Sequence, residues 1–277
     1  MGKRINSLGG KIEGCFAKHP FFLSKKMQLQ DILSVLDSIA PFDSAEQWDS
    51  VGLMVGDPRQ EIKSILIALD PSFEVIEAAR AEGIDLIVSH HPLIFTPLKR
   101  IDLRDRVSRK IGMLIQSGIA LVSVHTNLDV SEGGVADVLA SRLSLQDIKS
   151  CGPIRYGTVG EAVPLGSWAK ELPFDTIRIV DAALPVKNVC ACPGSGMSYL
   201  NDALSLGCDT FVTGDVRYHA ALDAREAGVN IVDLGHFATE QIAIAPLAEK
   251  LRSELQDLSI YTHRAKDVFM NIKGEIS

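Results

Sequence analysis

"EGIDLIVSHH", residues 82–91, and "LGCDTFVTGD", residues 206–215, place the same kind of strand in the two halves of the chain. Gly83 aligns with Gly207, Asp85 with Asp209, Val88 with Val212 and Ser89 with Thr213. The strand that follows matches as well: "GIALVSVH" (118–125) lies beside "GVNIVDLGH" (228–236), with one residue inserted before the histidine. A repeat of this kind predicts two related lobes of similar topology. Chance likeness between two βα units is the alternative.

Working outward, Leu29, Ile32, Leu33, Leu36 and Ile39 recur at helical spacing, and Pro41 ends that helix. Strand-like runs at 51–56 and 64–70, a helix at 72–82, the strand "IDLIVS", a helix at 103–117 and the strand "GIALVSV" follow. The second half repeats the plan. It has strands near 176–181 and 187–192, a helix at 197–206, "CDTFVTG", a helix at 217–227, "VNIVDLG", a long helix at about 237–257 and a closing strand "SIYTHR". Strands alternating with helices predict βαβ units. The fold class is α/β, with two lobes built on mixed, largely parallel sheets. Residues 27–130 with 245–277 are expected to form the first lobe and 131–244 the second.

The chain has 277 residues with 46% hydrophobic content, and no apolar run approaches the roughly 20 residues needed to span a bilayer. Residues 1–26 hold six basic residues against Glu13 alone, which leaves 22 basic and 34 acidic residues in the remainder. So acidic a body argues against direct nucleic-acid binding. The basic stretch 1–26 lacks a secretory h-region and is read as a poorly ordered tail outside the fold. Five cysteines without a C-x-x-C pair read as reduced thiols of a cytoplasmic protein, with Cys190 and Cys192 on one strand face.

Ligands of open α/β sheets bind beyond the carboxyl ends of the strands. Those ends hold His90 and His91, then His125 and Asp129, then Asp215 and His219, then His236 and Glu240, so five of the seven histidines collect there. Adjacent residues on a strand face opposite ways, so His90 and His91 cannot easily serve one ion. In "HTNLD", His125, Asn127 and Asp129 face one side if the backbone stays extended; an Asx turn closing the strand is the competing reading. In "GHFATE", His236 and Glu240 are four apart at a helix start and stack on one face; a helix N-terminus with a polar first turn is its bland counterpart. Imidazole and carboxylate donors without thiolate suit zinc, iron or manganese. The donors outnumber what one four-coordinate ion needs. Two ions about 3.5 to 4 Å apart, sharing a carboxylate, answer both points.

"WDSVGLMVGDP" (48–58), "LIVSHHPLIF" (86–95), "HTNLD" (125–129), "PGSG" (193–196), "TGDVRYH" (213–219) and "GHFATE" (235–240) together resemble the motifs of the Nif-three-like dinuclear metal-centre family, also called GTP cyclohydrolase type 2 homologues. The resemblance runs in order from Met27 nearly to the C-terminus. It implies two α/β lobes with the metal site in the cleft between them, a homohexamer assembled as a trimer of dimers, and two divalent ions per chain. Carried over by position, His90 and Asp129 bind one ion, His91 and His236 the other, and Glu240 bridges. His125 then stands beside the site, supporting the ligands or carrying protons, and His219 with Asp215 lines its approach. The large insert that some members carry between the lobes has no room here.

These features predict a metal-dependent hydrolase of a nucleotide or related small substrate, with His125 and His219 as catalytic proton carriers. The rival is a metal-binding scaffold, metal chaperone or regulatory partner without turnover. "PGSGMS" (193–198) reads as a simple βα turn rather than a phosphate cradle. The basic cluster Lys99, Arg100, Arg104, Arg106, Arg109 and Lys110 reads as a solvated helix face.

Overall fold

The computed structural model describes residues 11–13 and 26–270. The chain divides into two compact units, Met1–Asn127 with Leu247–Lys266 and Leu128–Pro246 with Asp267–Ser277.

In the first unit the strands are β1 (Lys11–Glu13), β3 (Gly52–Val55), β5 (Ser64–Ala68), β6 (Leu86–Ser89), β7 (Ala120–Ser123) and β14 (Ser259–Arg264). They form one sheet in the order β1-β14-β5-β6-β7-β3. β14, β5, β6 and β7 are parallel, and β1 and β3 close the two edges antiparallel. β6 and β7 are buried along their whole length, as parallel strands covered on both faces must be. The short pair β2 (Met27–Gln28) and β4 (Glu61–Ile62) stands apart.

Helices α1 (Leu29–Ile39), α2 (Phe73–Glu82) and α3 (Arg106–Ser117) accompany this sheet. Ser72 caps α2 by accepting from Val75 N, and Asp105 caps α3 by accepting from Ser108 N. Both helices end on a left-handed glycine, Gly83 (φ 67°) and Gly118 (φ 65°), a conformation that costs glycine nothing. Ile76, Leu114, Leu66, Ile87 and Leu121 meet in the core between them.

The second unit holds β8 (Gln146–Cys151), β9 (Ile154–Val163), β10 (Arg178–Val180), β11 (Val186–Ala191), β12 (Thr210–Thr213) and β13 (Asn230–Asp233), in the order β10-β13-β12-β11-β9-β8. Its helices are α5 (Val135–Arg142), α6 (Leu165–Glu171), α7 (Leu200–Ser205), α8 (Tyr218–Glu226) and α9 (His236–Gln241). β11, β12 and β13 are parallel, with β10 antiparallel on the outer side of β13. The first unit has the same core, β5-β6-β7 with β3 antiparallel on β7.

The repeat extends to a bracing device. Asp85 Oδ2 accepts from the backbone of Lys63 (2.9 Å) and Ser64 (3.0 Å) where β5 starts. Its counterpart Asp209 accepts from Lys187 (3.1 Å) and Asn188 (2.7 Å) where β11 starts. Each aspartate fixes the register of two neighbouring parallel strands. The units part on the other flank, where β14 lies parallel to β5 but β9 lies antiparallel to β11.

Several expectations change. Part of the stretch read as a tail belongs to the fold: Lys11–Glu13 pair with Thr262–Arg264 and occupy a sheet edge whose backbone groups need partners. The rest of residues 1–25 lies outside the described residues. The long helix expected at 237–257 is two, α9 and α10 (Ile244–Glu254), because Pro246 offers no N–H and its ring would collide with the Ile242 carbonyl of a continuous helix. "HTNLD" is not extended; Thr126–Val130 form the short helix α4. The cysteines are not all thiols, since Cys190 and Cys208 are joined in a disulfide with Cα atoms 5.9 Å apart. Register brings them together: β12 begins two residues after Cys208 and pairs with β11, with Thr210 opposite Val189. Cys192, buried in the same apolar cluster as Cys190, and the exposed Cys151 are thiols.

Among the described residues no helix is long and apolar enough to cross a membrane. A cavity of about 760 Å³ in the first unit lies between Met54–Gly56, Ile94–Ile101 and α3, and none of the strand-end histidines lines it.

Candidate metal centre

In the first unit, β6 ends at His90 and His91, and β7 leads through Val124 to His125. Backbone bonds extend the strands into these residues: His90 N donates to Ala68 O, His91 N to Leu69 O and Val124 N to Ser89 O. The three rings converge, with centroids 5.0 Å (90–91), 5.1 Å (90–125) and 5.6 Å (91–125) apart. One ligand nitrogen from each lies within 4.8 Å of the other two, so this group can hold a metal ion. His125, expected only beside the site, is a full member of the cluster.

Hydrogen bonds at Nδ1 fix how these rings present themselves. His90 Nδ1 is 3.0 Å from the Val124 carbonyl, His91 Nδ1 is 2.7 Å from Asp70 Oδ1, and His125 Nδ1 is 2.8 Å from Asp49 Oδ1. Carbonyls and carboxylates accept and cannot donate, so each neutral ring carries its proton on Nδ1 and its lone pair on Nε2. Metal-ligating histidines are held in this manner.

Asp49 accepts from His125, from Thr126 Oγ1 (2.5 Å) and from Thr126 N (3.1 Å). Burial of its carboxyl works to raise its pKa, but the hydrogen bonds from His125 and Thr126 prevail and hold it well below the usual carboxylate range. Asn127, in the middle of "HTNLD", is structural: Oδ1 accepts from His125 N and Nδ2 donates to Ala40 O. Neither reading of that motif holds: the backbone turns into the short helix α4, and the Asn127 amide bonds back to the His125 N–H rather than forward as in an Asx turn.

In the second unit, β13 leads through Leu234 and Gly235 to His236. Gly235 takes φ 83°, and Gly214 packs so closely that an added Cβ would meet His236 N at 2.6 Å. The positive φ at one and the tight approach at the other explain why both are glycine. His236 Nδ1 is 2.8 Å from Asp215 Oδ2, the fourth imidazole held in this way. Asp215, expected with His219 at the approach, instead stands behind His236, because the turn after β12 places it at φ 55° facing the imidazole.

His236 Nε2 and Glu240 Oε2 are 3.0 Å apart, one helical turn along α9. Two donors on one ion at about 2.1 Å and a right angle stand about 3 Å apart, so this spacing fits joint ligation. Glu240 is 4% exposed, and the Gly194 backbone leans on it so closely that a Cβ there would fall 2.2 Å from Oε1. The "PGSG" loop thus seats the carboxylate. Its amides are engaged internally, Gly194 N on Thr239 Oγ1 and Gly196 N on Thr213 Oγ1, so the loop is a turn and not a phosphate cradle. Beside it, burial, reinforced by the carboxylates of Asp129 and Glu240, pushes the Cys192 thiol up. His219 sits on the exposed first turn of α8, its ring edge-on to Tyr218 at 5.3 Å.

The sequence reading missed Asp49 and Asp70 and gave Asp215 another task. Asp70 was findable, since it ends the run "SILIALD" at a strand terminus where ligands gather. Asp49 stands in the motif "WDSVGLMVGDP", but nothing local marks its partner, which is 76 residues away.

Two α/β units whose strand ends carry imidazoles and carboxylates able to hold a metal define the class of the protein. The chain belongs to the Duf34/NIF3 (NGG1p interacting factor 3) family, whose model matches residues 27–267. It is 37% identical over 262 residues to the "GTP cyclohydrolase 1 type 2 homolog" of Clostridium perfringens, covering 88% of this chain and 99% of that protein. Among solved structures it is similar to reduced HcgD from Methanocaldococcus jannaschii, with TM-score 0.77, 30% identity, and 86% and 98% of the two chains covered. A Bacillus cereus protein related to NIF3 shares the fold at TM-score 0.83 and 24% identity, over 90% of this chain and 100% of that one.

Proposed function

We propose that the protein binds two divalent ions and is a metal-dependent hydrolase of a nucleotide or related small substrate. In this reading His90 and Asp129 hold one ion, His91 and His236 the other, and Glu240 bridges them. Zinc, iron and manganese all suit the donor set.

The observation that carries the reading is the state of the imidazoles: four histidines at strand ends each have Nδ1 on a carbonyl or carboxylate. Orienting the rings so that Nε2 is free has a purpose in metal ligation for His90, His91 and His236 and in proton transfer for His125, and little in strand capping. Two divalent cations held by these residues would supply Lewis acidity toward a substrate oxygen and would lower the pKa of a bound water. The chain's own part is to hold and move protons. His125, locked on Asp49, offers Nε2 as a proton acceptor close to His90 and His91, with His219 as a second, exposed carrier. Relatives named GTP cyclohydrolase 1 type 2 homologs support a nucleotide as the first substrate to try. The homohexamer implied by the sequence motifs belongs to the same reading.

Metal-loaded protein should hydrolyse GTP or another nucleotide, and Glu240→Ala and His91→Ala should abolish turnover. Metal-replete wild type inert across a broad nucleotide panel would instead favour the second reading, a metal-binding scaffold, chaperone or regulatory partner. The family description, which names an interaction partner, supports that alternative.

A further inference from the structure

Trp48 and Phe95 are large aromatic side chains left 57% and 52% exposed; Trp48 stands against the histidine cluster of the first unit and Phe95 against Trp48. Their ring centroids are 5.7 Å apart with the planes at 47°, and the Trp48 indole meets the His125 ring edge to face at 6.2 Å and 78°. We propose that Trp48 and Phe95 form a stacking platform for a planar aromatic or heteroaromatic ring of the molecule bound at His90, His91 and His125. This rests on the metal-centre reading above and adds the part of the ligand that the metal donors cannot recognise.

Scattered exposed apolar side chains are ordinary and need no explanation. Trp48 differs because its backbone is pinned. Asp49 N donates to Glu46 O (2.9 Å), Glu46 N donates to Thr126 Oγ1 (3.0 Å), and the Asp49 carboxylate is held by Thr126 and His125. The residue that orients His125 is therefore the chain neighbour of the exposed indole, and the bonds that fix the imidazole also fix the backbone from which the indole projects. Phe95 lies four residues beyond His91 on the loop leaving β6 and reaches the cluster through its ring contact with Trp48. Two adjacent aromatic faces, open to solvent beside a cluster of imidazole donors, suit a ligand with a polar, metal-seeking end and a flat ring. Stacking of this kind tolerates any base, because every base has a π-face.

The second tryptophan, Trp168, is 8% exposed in the core of the second unit, so Trp48 is the indole a ligand can reach. In manganese-loaded protein, guanosine or adenosine 5′-monophosphate should quench Trp48 emission saturably, in wild type and in Trp168→Phe. Ribose 5-phosphate, which keeps sugar and phosphate but lacks the ring, should not. By calorimetry, Trp48→Ala should weaken binding of the nucleotides by about tenfold or more, leaving ribose 5-phosphate affinity and metal content unchanged. The platform is overturned if neither nucleotide quenches Trp48, or if Trp48→Ala binds nucleotide as tightly as wild type. Protein that takes up no metal strikes at the metal-centre reading instead, and metal content measured on the same samples separates the two failures.

Discussion

His125 Nδ1 lies 2.8 Å from Asp49 Oδ1, and the Asp49 side chain has no solvent exposure. A carboxylate removed from water and kept ionised by its hydrogen bonds is a fixed acceptor, and it dictates which nitrogen of His125 faces the other two histidines. Replacing Asp49 with Ala should free the ring to rotate and change tautomer. Turnover should fall about 10- to 100-fold with circular dichroism unchanged, the usual loss when such a partner is removed. Wild-type rates in Asp49→Ala would mean that the ring is held by packing alone.

Asp70 and Asp215 do the same for His91 and His236. Asp70→Ala and Asp215→Ala should each weaken metal affinity about 10- to 100-fold, measured by competition with a chromogenic chelator. Both aspartates are half exposed, so the folded state should be little affected.

Gly194 tests how Glu240 is seated. At φ 59°, with a Cβ 2.2 Å from Glu240 Oε1, alanine must displace the carboxylate and adopt a left-handed conformation. Gly194→Ala should lose metal affinity at least about tenfold while costing only about 1 to 2 kcal/mol of stability. Unaltered affinity in a folded variant would show that Glu240 needs no such seat.

The strand pattern, the repeat and the convergence of histidines at strand ends were all legible in the sequence, because apolar runs, glycine stops and strand polarity are local signals. What stayed hidden depends on contacts across the chain. β8, "QDIKSC", is exposed at every position and has no apolar alternation to read. The Cys190–Cys208 pairing needs the β11–β12 register, and the bond from Asp49 to His125 needs the whole fold of the first unit. The motif histidines could be named from spacing, and Asp70 and Asp215 stand at strand ends where ligands gather, but which imidazole each carboxylate holds could not be read from the sequence.

Arg155 is 2% exposed and joins three segments of the second unit, pairing with Asp137 and donating to Gly152 O (3.0 Å) and Val130 O (2.8 Å). Arg155→Met should destabilise that unit by about 3 kcal/mol in urea unfolding, the low end for a broken buried pair because Asp137 keeps partial access to water. A loss below about 1 kcal/mol would make this network incidental.

His263, 2% exposed on β14, has its pKa lowered by burial, against a smaller opposing pull from Glu74. The unfolded chain therefore binds a proton more readily than the folded one, and stability should fall as pH drops through about 6.5 toward the folded value. Tm measured against pH should show a shallower acid slope in His263→Gln than in wild type. Identical slopes would remove His263 from the acid response.

The central claim is a two-ion site built by His90, His91, Asp129, His236 and Glu240. Elemental analysis of protein loaded with zinc or manganese and freed of loose metal tests it most directly. The account predicts two equivalents per chain, falling in His91→Ala and falling further in Glu240→Ala. Less than one equivalent under replete conditions, or a content unchanged when His90 and His236 are both replaced, would contradict it.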